Sequence, residues 1–298
     1  MTAQGIVVHG GVGSPASWGD GCRRAAARGR AILDKGGNAL DAVVEAALDL
    51  EDDGRFNAGT GSQFRLDGTT IEMDAAVMTS DGRLGGVAAI QRVKNPVQVA
   101  REVVKTPHVL LAGEGAVEFA RCCGFADFYQ PSAQARERFE KVRDALKEGR
   151  FTEVREPWRS FDLKRYWNFA SPYETVFCDT IGAVAIDREG LLATANSTGG
   201  AAPMLRGRVG DSPIVGCGFY AGPSAAVVAT GLGEEIIRRM LCRQVYDWIS
   251  QGDEVARACE RGVALFPGDV PVGVIAISRR GSAAAANRDM AWAREQSP

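Results

Sequence analysis

The chain has 298 residues and a formal net charge of −2, with 45% hydrophobic and 24% charged residues. These values are ordinary for a globular protein with a sizeable core, and they give no signal for binding nucleic acid or an anionic membrane surface. No apolar stretch is long enough to span a bilayer as a helix, so we expect no membrane association.

Histidines and cysteines restrict the chemistry further. The only histidines are His9 and His108, which leaves little material for a histidine-based triad or a histidine-rich metal site. The seven cysteines are scattered, odd in number and without zinc-ligand spacing. We therefore expect buried free thiols in a reducing cytosol.

The N-terminal segment predicts a strand over Gly5–Val8, followed by the turn His9-Gly10-Gly11-Val12-Gly13. No basic stretch precedes the short apolar run, so this segment is interpreted as a strand and not as a signal peptide. A glycine-rich turn after a strand can bind phosphate, but this one lacks the dinucleotide spacing and the P-loop lysine. A tight turn is the alternative.

Two helices and an acidic loop are predicted next. The first helix spans Cys22–Leu33, and Asn38 is placed to cap the second, whose apolar residues recur at helical spacing from Leu40. An acidic run, Glu51-Asp52-Asp53, leads into a glycine-rich loop at 56–62. This loop is either a cation site or a solvated turn, and it has no EF-hand spacing.

Strand–turn–strand patterns occur three times, at Ile71–Gln91, Thr180–Asn196 and Val272–Ala286, and they predict antiparallel hairpins. Helical patterns fill the intervals, at Val97–Val104, Glu114–Cys123, Gln134–Glu148, Glu234–Trp248 and Glu254–Leu265. This alternation favours stacked sheets covered by helices. The stretch 149–177 has no clean period and is interpreted as a connection, but its many aromatic residues predict that part of it packs on the body.

Thr180 opens the second hairpin at the edge of an apolar strand. The partner strand ends in Ser197-Thr198-Gly199-Gly200, a glycine-rich loop that carries hydroxyl groups. Such a position suits a threonine nucleophile that becomes a new N-terminus. The alternative is a β-branched residue that simply begins a strand.

Two later motifs suit a small zwitterionic substrate. Arg208 and Asp211 lie three residues apart in a loop bounded by glycine and proline, where they can bind a carboxylate and an ammonium group. The alternative is a surface ion pair. Thr230-Gly231 ends an apolar strand before a helix and offers a hydroxyl and a backbone N–H to an oxyanion.

These motifs, in this order, resemble the plant-type asparaginase and isoaspartyl aminopeptidase family of N-terminal-nucleophile hydrolases, which includes glycosylasparaginase. The resemblance runs along most of the chain through collinear segments. They are His9-Gly10-Gly11, Leu50-Glu51-Asp52-Asp53, Phe56-Asn57-Ala58-Gly59, Glu72-Met73-Asp74-Ala75, Asp179-Thr180-Ile181-Gly182, Ser197-Thr198-Gly199-Gly200, Gly207–Pro213 and Thr230-Gly231-Leu232-Gly233-Glu234.

The resemblance implies a single domain over 1–298, an α+β fold built as a four-layer αββα sandwich. It implies a precursor that cleaves its own Asp179–Thr180 bond into an α-subunit, 1–179, and a β-subunit, 180–298, with a linker over about 149–179. Two such pairs would form a dimer of heterodimers, (αβ)2.

The resemblance also implies roles for single residues. Thr180 would be the nucleophile and its freed amine the base, and Thr198 would hydrogen-bond near it. The Thr230 hydroxyl and the Gly231 N–H would form the oxyanion hole. The remaining implied residues are Arg208 for the substrate carboxylate, Asp211 and Gly233 for its amine, Asn57 close to the nucleophile, His9, Gly10 and Gly11 near the processing site, and the carbonyls of Leu50, Glu51, Asp53, Phe56, Ala58 and Thr60 for a structural Na⁺.

The expected activity is hydrolysis of β-aspartyl dipeptides and asparagine through an acyl-enzyme, with no cofactor other than this possible Na⁺. Two alternatives remain. One is glycosylasparaginase activity, and the other is an unprocessed, non-catalytic protein that only binds amino-acid ligands.

Overall fold

The computed structural model describes residues 4–65, 67–147, 163–166, 180–201 and 204–296. Helices and strands are mixed along the chain, so the protein belongs to the mixed class that contains both. The strands are β1 (Gly5–Val12), β2 (Met73–Thr79), β3 (Leu84–Ile90), β4 (Leu110–Ala112), β5 (Thr180–Ile186), β6 (Leu192–Thr198), β7 (Phe219–Gly222), β8 (Ala225–Gly231), β9 (Val272–Ser278), β10 (Gly281–Ala286) and β11 (Met290–Gln296). The helices are α1 (Gly19–Asp34), α2 (Ala39–Asp52), α3 (Pro96–Val103), α4 (Gly113–Cys122), α5 (Ala133–Lys147), α6 (Leu163–Tyr166), α7 (Gly233–Arg239), α8 (Leu241–Ser250) and α9 (Val255–Val263).

The strands form two sheets. The larger has the order β11-β1-β5-β6-β2-β3-β4, and the smaller has the order β10-β9-β8-β7. Every neighbouring pair is antiparallel except β3 and β4, which are parallel. The three predicted hairpins, β2–β3, β5–β6 and β9–β10, are therefore confirmed. Strand β5 lies between β1 and β6; its first residue, Thr180, pairs with Thr198 of β6, and its pairing with β1 begins at Gly182.

The larger sheet buries both of its faces. In β1, Ile6 and Val8 pack with residues of α1 and α2 such as Ala25 and Val43, whereas Val7 packs against strands of the smaller sheet. This alternation follows from the two-residue period of a strand. The outer face of the smaller sheet packs on α8 and α9. Each fully buried valine or isoleucine contributes about 1.5–3 kcal/mol relative to an exposed one.

Helix α2 begins where the sequence predicts. The Asn38 Oδ1 accepts the backbone N–H of Asp41 at 2.9 Å, which satisfies one of the unpaired amides of the first turn. Asp187, in the turn between β5 and β6, accepts the Ala39 N–H at 2.9 Å. The helix is thus fixed to the hairpin that begins with Thr180.

The prediction of one helix over Glu234–Trp248 is wrong, because Met240 has a left-handed backbone with φ of 47° and separates α7 from α8. The first amides of α8 bond elsewhere, Cys242 N–H to the Cys217 carbonyl and Arg243 N–H to the Gly216 carbonyl. These long-range hydrogen bonds override a local pattern that suits a continuous helix.

The prediction of a turn directly after Val8 is also wrong. Residues His9 to Val12 continue β1, with an irregularity between His9 and Val12 where the pairing with β11 shifts. Strands β4, β7 and β11 were not predicted. β4 and β7 are short, and β11 is a charged edge strand that needs β1 as its partner.

Most of the expected linker lies outside the described residues, as do Asp179 and Cys178; only α6 falls within it. The other cysteines have free thiols, as expected, but the expectation that they are buried is wrong for Cys122 and Cys123, which are exposed at the end of α4. Across the described ranges, no helix has the length and apolar character needed to cross a membrane.

Candidate active site

Several strand ends meet at one edge of the larger sheet. Thr180, at the start of β5, lies opposite Thr198, at the end of β6, and Thr198 lies opposite Asp74 near the start of β2. Antiparallel pairing brings strand starts and strand ends to the same edge. Thr180 is 6% exposed and Thr198 is 3% exposed, so both lie below the surface.

Asn57 joins the glycine-rich loop at 56–62 to the end of β6. Its Nδ2 donates to the Gly200 carbonyl at 2.7 Å and lies 3.5 Å from the Thr198 Oγ1, which in turn accepts the Gly200 N–H at 3.0 Å. Its Oδ1 accepts the Gln63 N–H at 3.2 Å. The structure therefore brings Asn57 and Thr198 together beside Thr180.

Thr230 comes to this edge from the smaller sheet. Its Oγ1 accepts the backbone N–H of Val12, at the end of β1, at 3.2 Å. The hydroxyl acts as an acceptor in this bond, so its own hydrogen is left for a second partner. Gly231 follows at the end of β8 with φ of 146°, a backbone conformation that favours glycine.

The loop that carries Arg208 and Asp211 is tethered to the start of β2. The Gly207 N–H donates to Glu72 Oε2 at 2.8 Å, and the Gly210 N–H donates to Asp74 Oδ2 at 3.3 Å. Asp74 also accepts the Ala89 N–H at 2.8 Å, and burial raises its pKa. Two buried carboxylates thus hold this loop at the edge where Thr198 ends β6.

Arg208 is bound bidentately by Glu234, with its Nε and Nη2 each 2.9 Å from a carboxylate oxygen. The alternative of a surface ion pair with Asp211 is wrong, because Asp211 is only 3% exposed and Arg208 pairs with a different residue. The sequence spacing pointed to the nearer acidic residue, Asp211, as the partner of Arg208. It missed Glu234, which is twenty-six positions away in the chain.

Asp211 keeps a buried oxygen without a donor. Among the described residues nothing donates a hydrogen bond to its Oδ2. Burial raises the pKa of Asp211 to about 7. A buried carboxylate is costly unless a cation or a donor meets it, so this oxygen is suited to an ammonium group.

Arg65 was missed by sequence reasoning, although it is the largest fully buried side chain described. It donates to Glu72 Oε2 and to the Gly199 carbonyl, both at 2.9 Å, and to the Glu72 carbonyl at 2.8 Å. Glu72 and Asp74 belong to the family segment Glu72-Met73-Asp74-Ala75, and acidic residues two apart at a strand start share one face. Nothing local marks Arg65 as their partner.

His9, Gly10 and Gly11 lie within β1. His9 is fully buried opposite Gly182 of β5, its Nδ1 accepts the Gly11 N–H at 3.1 Å, and burial lowers its pKa to about 3. The imidazole is therefore neutral at physiological pH. Gly10 faces the ring of Phe56 so closely that a Cβ atom would lie 2.7 Å from Phe56 Cδ1.

The loop expected to bind Na⁺ is tightly coiled. Carbonyls of Asp53, Phe56, Ala58 and Thr60 each accept a backbone N–H, at 3.0–3.2 Å. A carbonyl has two lone pairs, so each could still contact a cation, and an oxygen-only donor set is of the kind that hard cations prefer. Side chains give no alternative: nowhere in the described part of the chain do three His, Cys, Asp or Glu side chains gather to hold a metal.

Glu51, near the end of α2, contacts β6 at Ser197, the residue before Thr198. It is fully buried, and its Oε1 accepts the Ser197 hydroxyl at 2.6 Å and the Val97 N–H at 3.1 Å. Burial raises the pKa of Glu51 to about 8. The predicted alternative of a solvated turn is therefore wrong for this residue.

The edge therefore combines buried hydroxyl groups on neighbouring strands with an arginine and a carboxylate in one adjoining loop, and no described residue donates to one oxygen of that carboxylate. Hydroxyl, guanidinium and carboxylate groups gathered in this way are suited to the hydrolysis of a small molecule. A model of the asparaginase family matches residues 3–297, and the chain belongs to that family.

Curated relatives agree with the family. A plant-type L-asparaginase of Pyrococcus furiosus is 41% identical over 290 residues, which cover 93% of this chain and 90% of that protein. An isoaspartyl peptidase/L-asparaginase of Danio rerio is 39% identical over 307 residues, covering 98% and 92%. Its namesake from Macaca fascicularis is 36% identical over 301 residues, covering 97% and 92%.

Proposed function

We propose that this protein is a self-processing threonine hydrolase that cleaves L-asparagine and β-aspartyl (isoaspartyl) dipeptides. The observation that carries the proposal is the position of Thr180, buried at the start of a central strand opposite Thr198. The names of the relatives supply the substrate class. The Asp211 oxygen to which no described residue donates a hydrogen bond supports a substrate that bears an ammonium group.

In this proposal the two sheets and their helices form the four-layer αββα sandwich of N-terminal-nucleophile hydrolases, as one domain over 1–298. The packing of helices on the larger sheet, of sheet on sheet, and of α8 and α9 on the smaller sheet supports this layering. Assembly of two processed chains into (αβ)2 and a cytoplasmic location stay predictions.

Processing begins with attack of the Thr180 hydroxyl on the carbonyl carbon of Asp179. The C–N bond breaks as the new C–O bond forms, which gives an ester and a free Thr180 amine. Water then hydrolyses the ester, leaving subunits 1–179 and 180–298. His9, Gly10 and Gly11 would support this step from β1, next to β5.

The freed amine then serves as the base. An α-amino group has a reference pKa of about 7.7–8.0, so it can take the proton of the Thr180 hydroxyl near neutral pH. The hydroxyl attacks the substrate β-carbonyl, and the Thr230 hydroxyl with the Gly231 N–H stabilises the oxyanion. Ammonia or an amine leaves, and water hydrolyses the β-aspartyl ester to regenerate Thr180.

Substrate recognition is assigned to the tethered loop. Arg208 binds the α-carboxylate, and Asp211 with Gly233 binds the α-amine. Asn57 and Thr198 keep the nucleophile in place through the hydrogen bonds at the end of β6. Carbonyls of the 50–60 loop would hold the structural Na⁺ and thereby fix Asn57.

Mass spectrometry and N-terminal sequencing of the purified protein test this proposal. We expect two fragments, the second beginning at Thr180, and release of aspartate from asparagine and from β-aspartyl dipeptides. Glycosylated asparagine is the comparison substrate, and a higher kcat/KM on it would favour glycosylasparaginase activity instead. An intact chain that hydrolyses none of these substrates would contradict the proposal.

A further inference from the structure

Glu234 binds Arg208 along one edge of the guanidinium group. The Nε and Nη2 of Arg208 each donate to a different carboxylate oxygen, both at 2.9 Å. The arginine side chain is 16% exposed and that of Glu234 is 46% exposed, so the acid lies on the solvent side of the pair. This two-bond geometry fixes both the position and the rotation of the guanidinium plane.

The donor count shows what remains for a ligand. A guanidinium group has five N–H donors, and Glu234 uses the one on Nε and one of the two on Nη2. The second hydrogen of Nη2 and both hydrogens of Nη1 point away from Glu234. A carboxylate can therefore bind the Nη1–Nη2 end without displacing Glu234.

The Nη2 atom at this end lies near Asp211. A Cβ atom on Gly233 would lie 2.9 Å from Arg208 Nη2 and 2.9 Å from Asp211 Oδ1. The space in front of Gly233 is therefore where the arginine and the aspartate converge, and any side chain at this position would fill it. The same glycine directly precedes Glu234 in the chain.

We infer that Glu234 is a positioning residue that orients Arg208 so that its Nη1–Nη2 end receives the α-carboxylate. This inference rests on the proposed function, because it assumes a substrate with that group. Arg208 lies close to Asp74 and Asp211 as well as Glu234, and the bidentate bond prevents it from turning toward either buried carboxylate. Without Glu234, the arginine would pair with Asp211 and close the site.

Steady-state kinetics on asparagine test the inference with Glu234→Ala, Glu234→Gln and the processed wild type. We expect Glu234→Ala to raise KM about tenfold while kcat changes by less than about twofold. The glutamine variant keeps one acceptor oxygen and should raise KM less. A rise in KM without a fall in kcat is specific to substrate positioning, since general damage to the fold would lower kcat too.

Glu235→Gln is the matched control. Glu235 is the next residue of α7 and also forms ion pairs, but with Arg238 and Arg239 on the same helix. Its kinetics should equal those of the wild type. An unchanged or lower KM in Glu234→Ala overturns the inference and identifies Glu234 as a bystander or as a competitor for Arg208. If the wild type itself hydrolyses no asparagine, the proposed function fails instead.

Discussion

Thr180 and Thr198 lie in the backbone ladder of the larger sheet, whereas Arg208 and Asp211 lie in a loop held by the side chains of Glu72 and Asp74. We refer to these as the strand side and the loop side of the site. The strand side is fixed by regular pairing that extends across the whole sheet. The loop side depends on a few charge-assisted hydrogen bonds, each of which a single substitution can remove.

This difference separates chemistry from recognition. Changes on the strand side should lower kcat and block processing, and changes on the loop side should raise KM. The following variants test that division, beginning with the largest expected effect.

Replacement of Thr180 by alanine should abolish both processing and hydrolysis, because no other hydroxyl occupies the start of β5. We expect a single chain of 31.7 kDa by mass spectrometry and a loss of activity of at least about 10⁴-fold. Thr180→Ser keeps the hydroxyl and is the matched control. Two fragments from the alanine variant would contradict the assignment of the cleavage site.

Replacement of Thr230 by valine removes the hydroxyl but keeps the shape of the side chain. As the oxyanion donor, this hydroxyl should account for about 10²–10³-fold in kcat, with a much smaller effect on KM. Thr230→Ser should retain most of the activity. The rate must be measured on the processed fraction only. An unchanged kcat of that fraction would show that Thr230 is not a donor of the oxyanion hole.

Replacement of Asp211 by asparagine should raise KM by about 10–100-fold, because the substrate ammonium loses its carboxylate partner. In the wild type, burial raises the pKa of Asp211 to about 7, and only the ionised form binds ammonium. KM should therefore rise about tenfold for each pH unit below that value. A flat pH profile of KM would argue against Asp211 as the amine-binding group.

The same raised pKa has a cost in stability. The folded protein binds the Asp211 proton more tightly than the unfolded chain, whose carboxyl has the ordinary value of 3.8. Stability therefore falls as the pH rises from 3.8 to about 7. The asparagine variant escapes this loss, so its advantage in Tm over the wild type should grow across that interval.

Replacement of Glu51 by glutamine should have the smallest effect on catalysis. Glu51 bonds Ser197, which points to the opposite face of β6 from Thr198, so kcat and KM should stay within about twofold of the wild type. Burial raises the pKa of Glu51 from 4.5 to about 8, so the Tm advantage of the variant should grow between these pH values. A large loss of kcat would show that residues on the opposite face of β6 from Thr198 also contribute to catalysis.

Much of the strand side could be predicted from the sequence. Hairpin β5–β6 follows from two apolar runs separated by a turn, and the Asn38 cap follows from a short-range preference. Family motifs then marked Thr180, Thr198, Thr230 and the glycines. These features depend on residues close together in the chain, and their patterns are therefore visible in it.

The partners of the charges were decided only by the tertiary structure. The sequence spacing suggests that Arg208 pairs with Asp211. In the folded protein Arg208 instead forms its ion pair with Glu234, and one Asp211 oxygen has no donor among the described residues. Arg65 and Glu72 form their buried pair in the same way, linking Gly199 to Gly207. Electrostatic partners depend on distance and burial in space, and a linear spacing of three residues does not encode either.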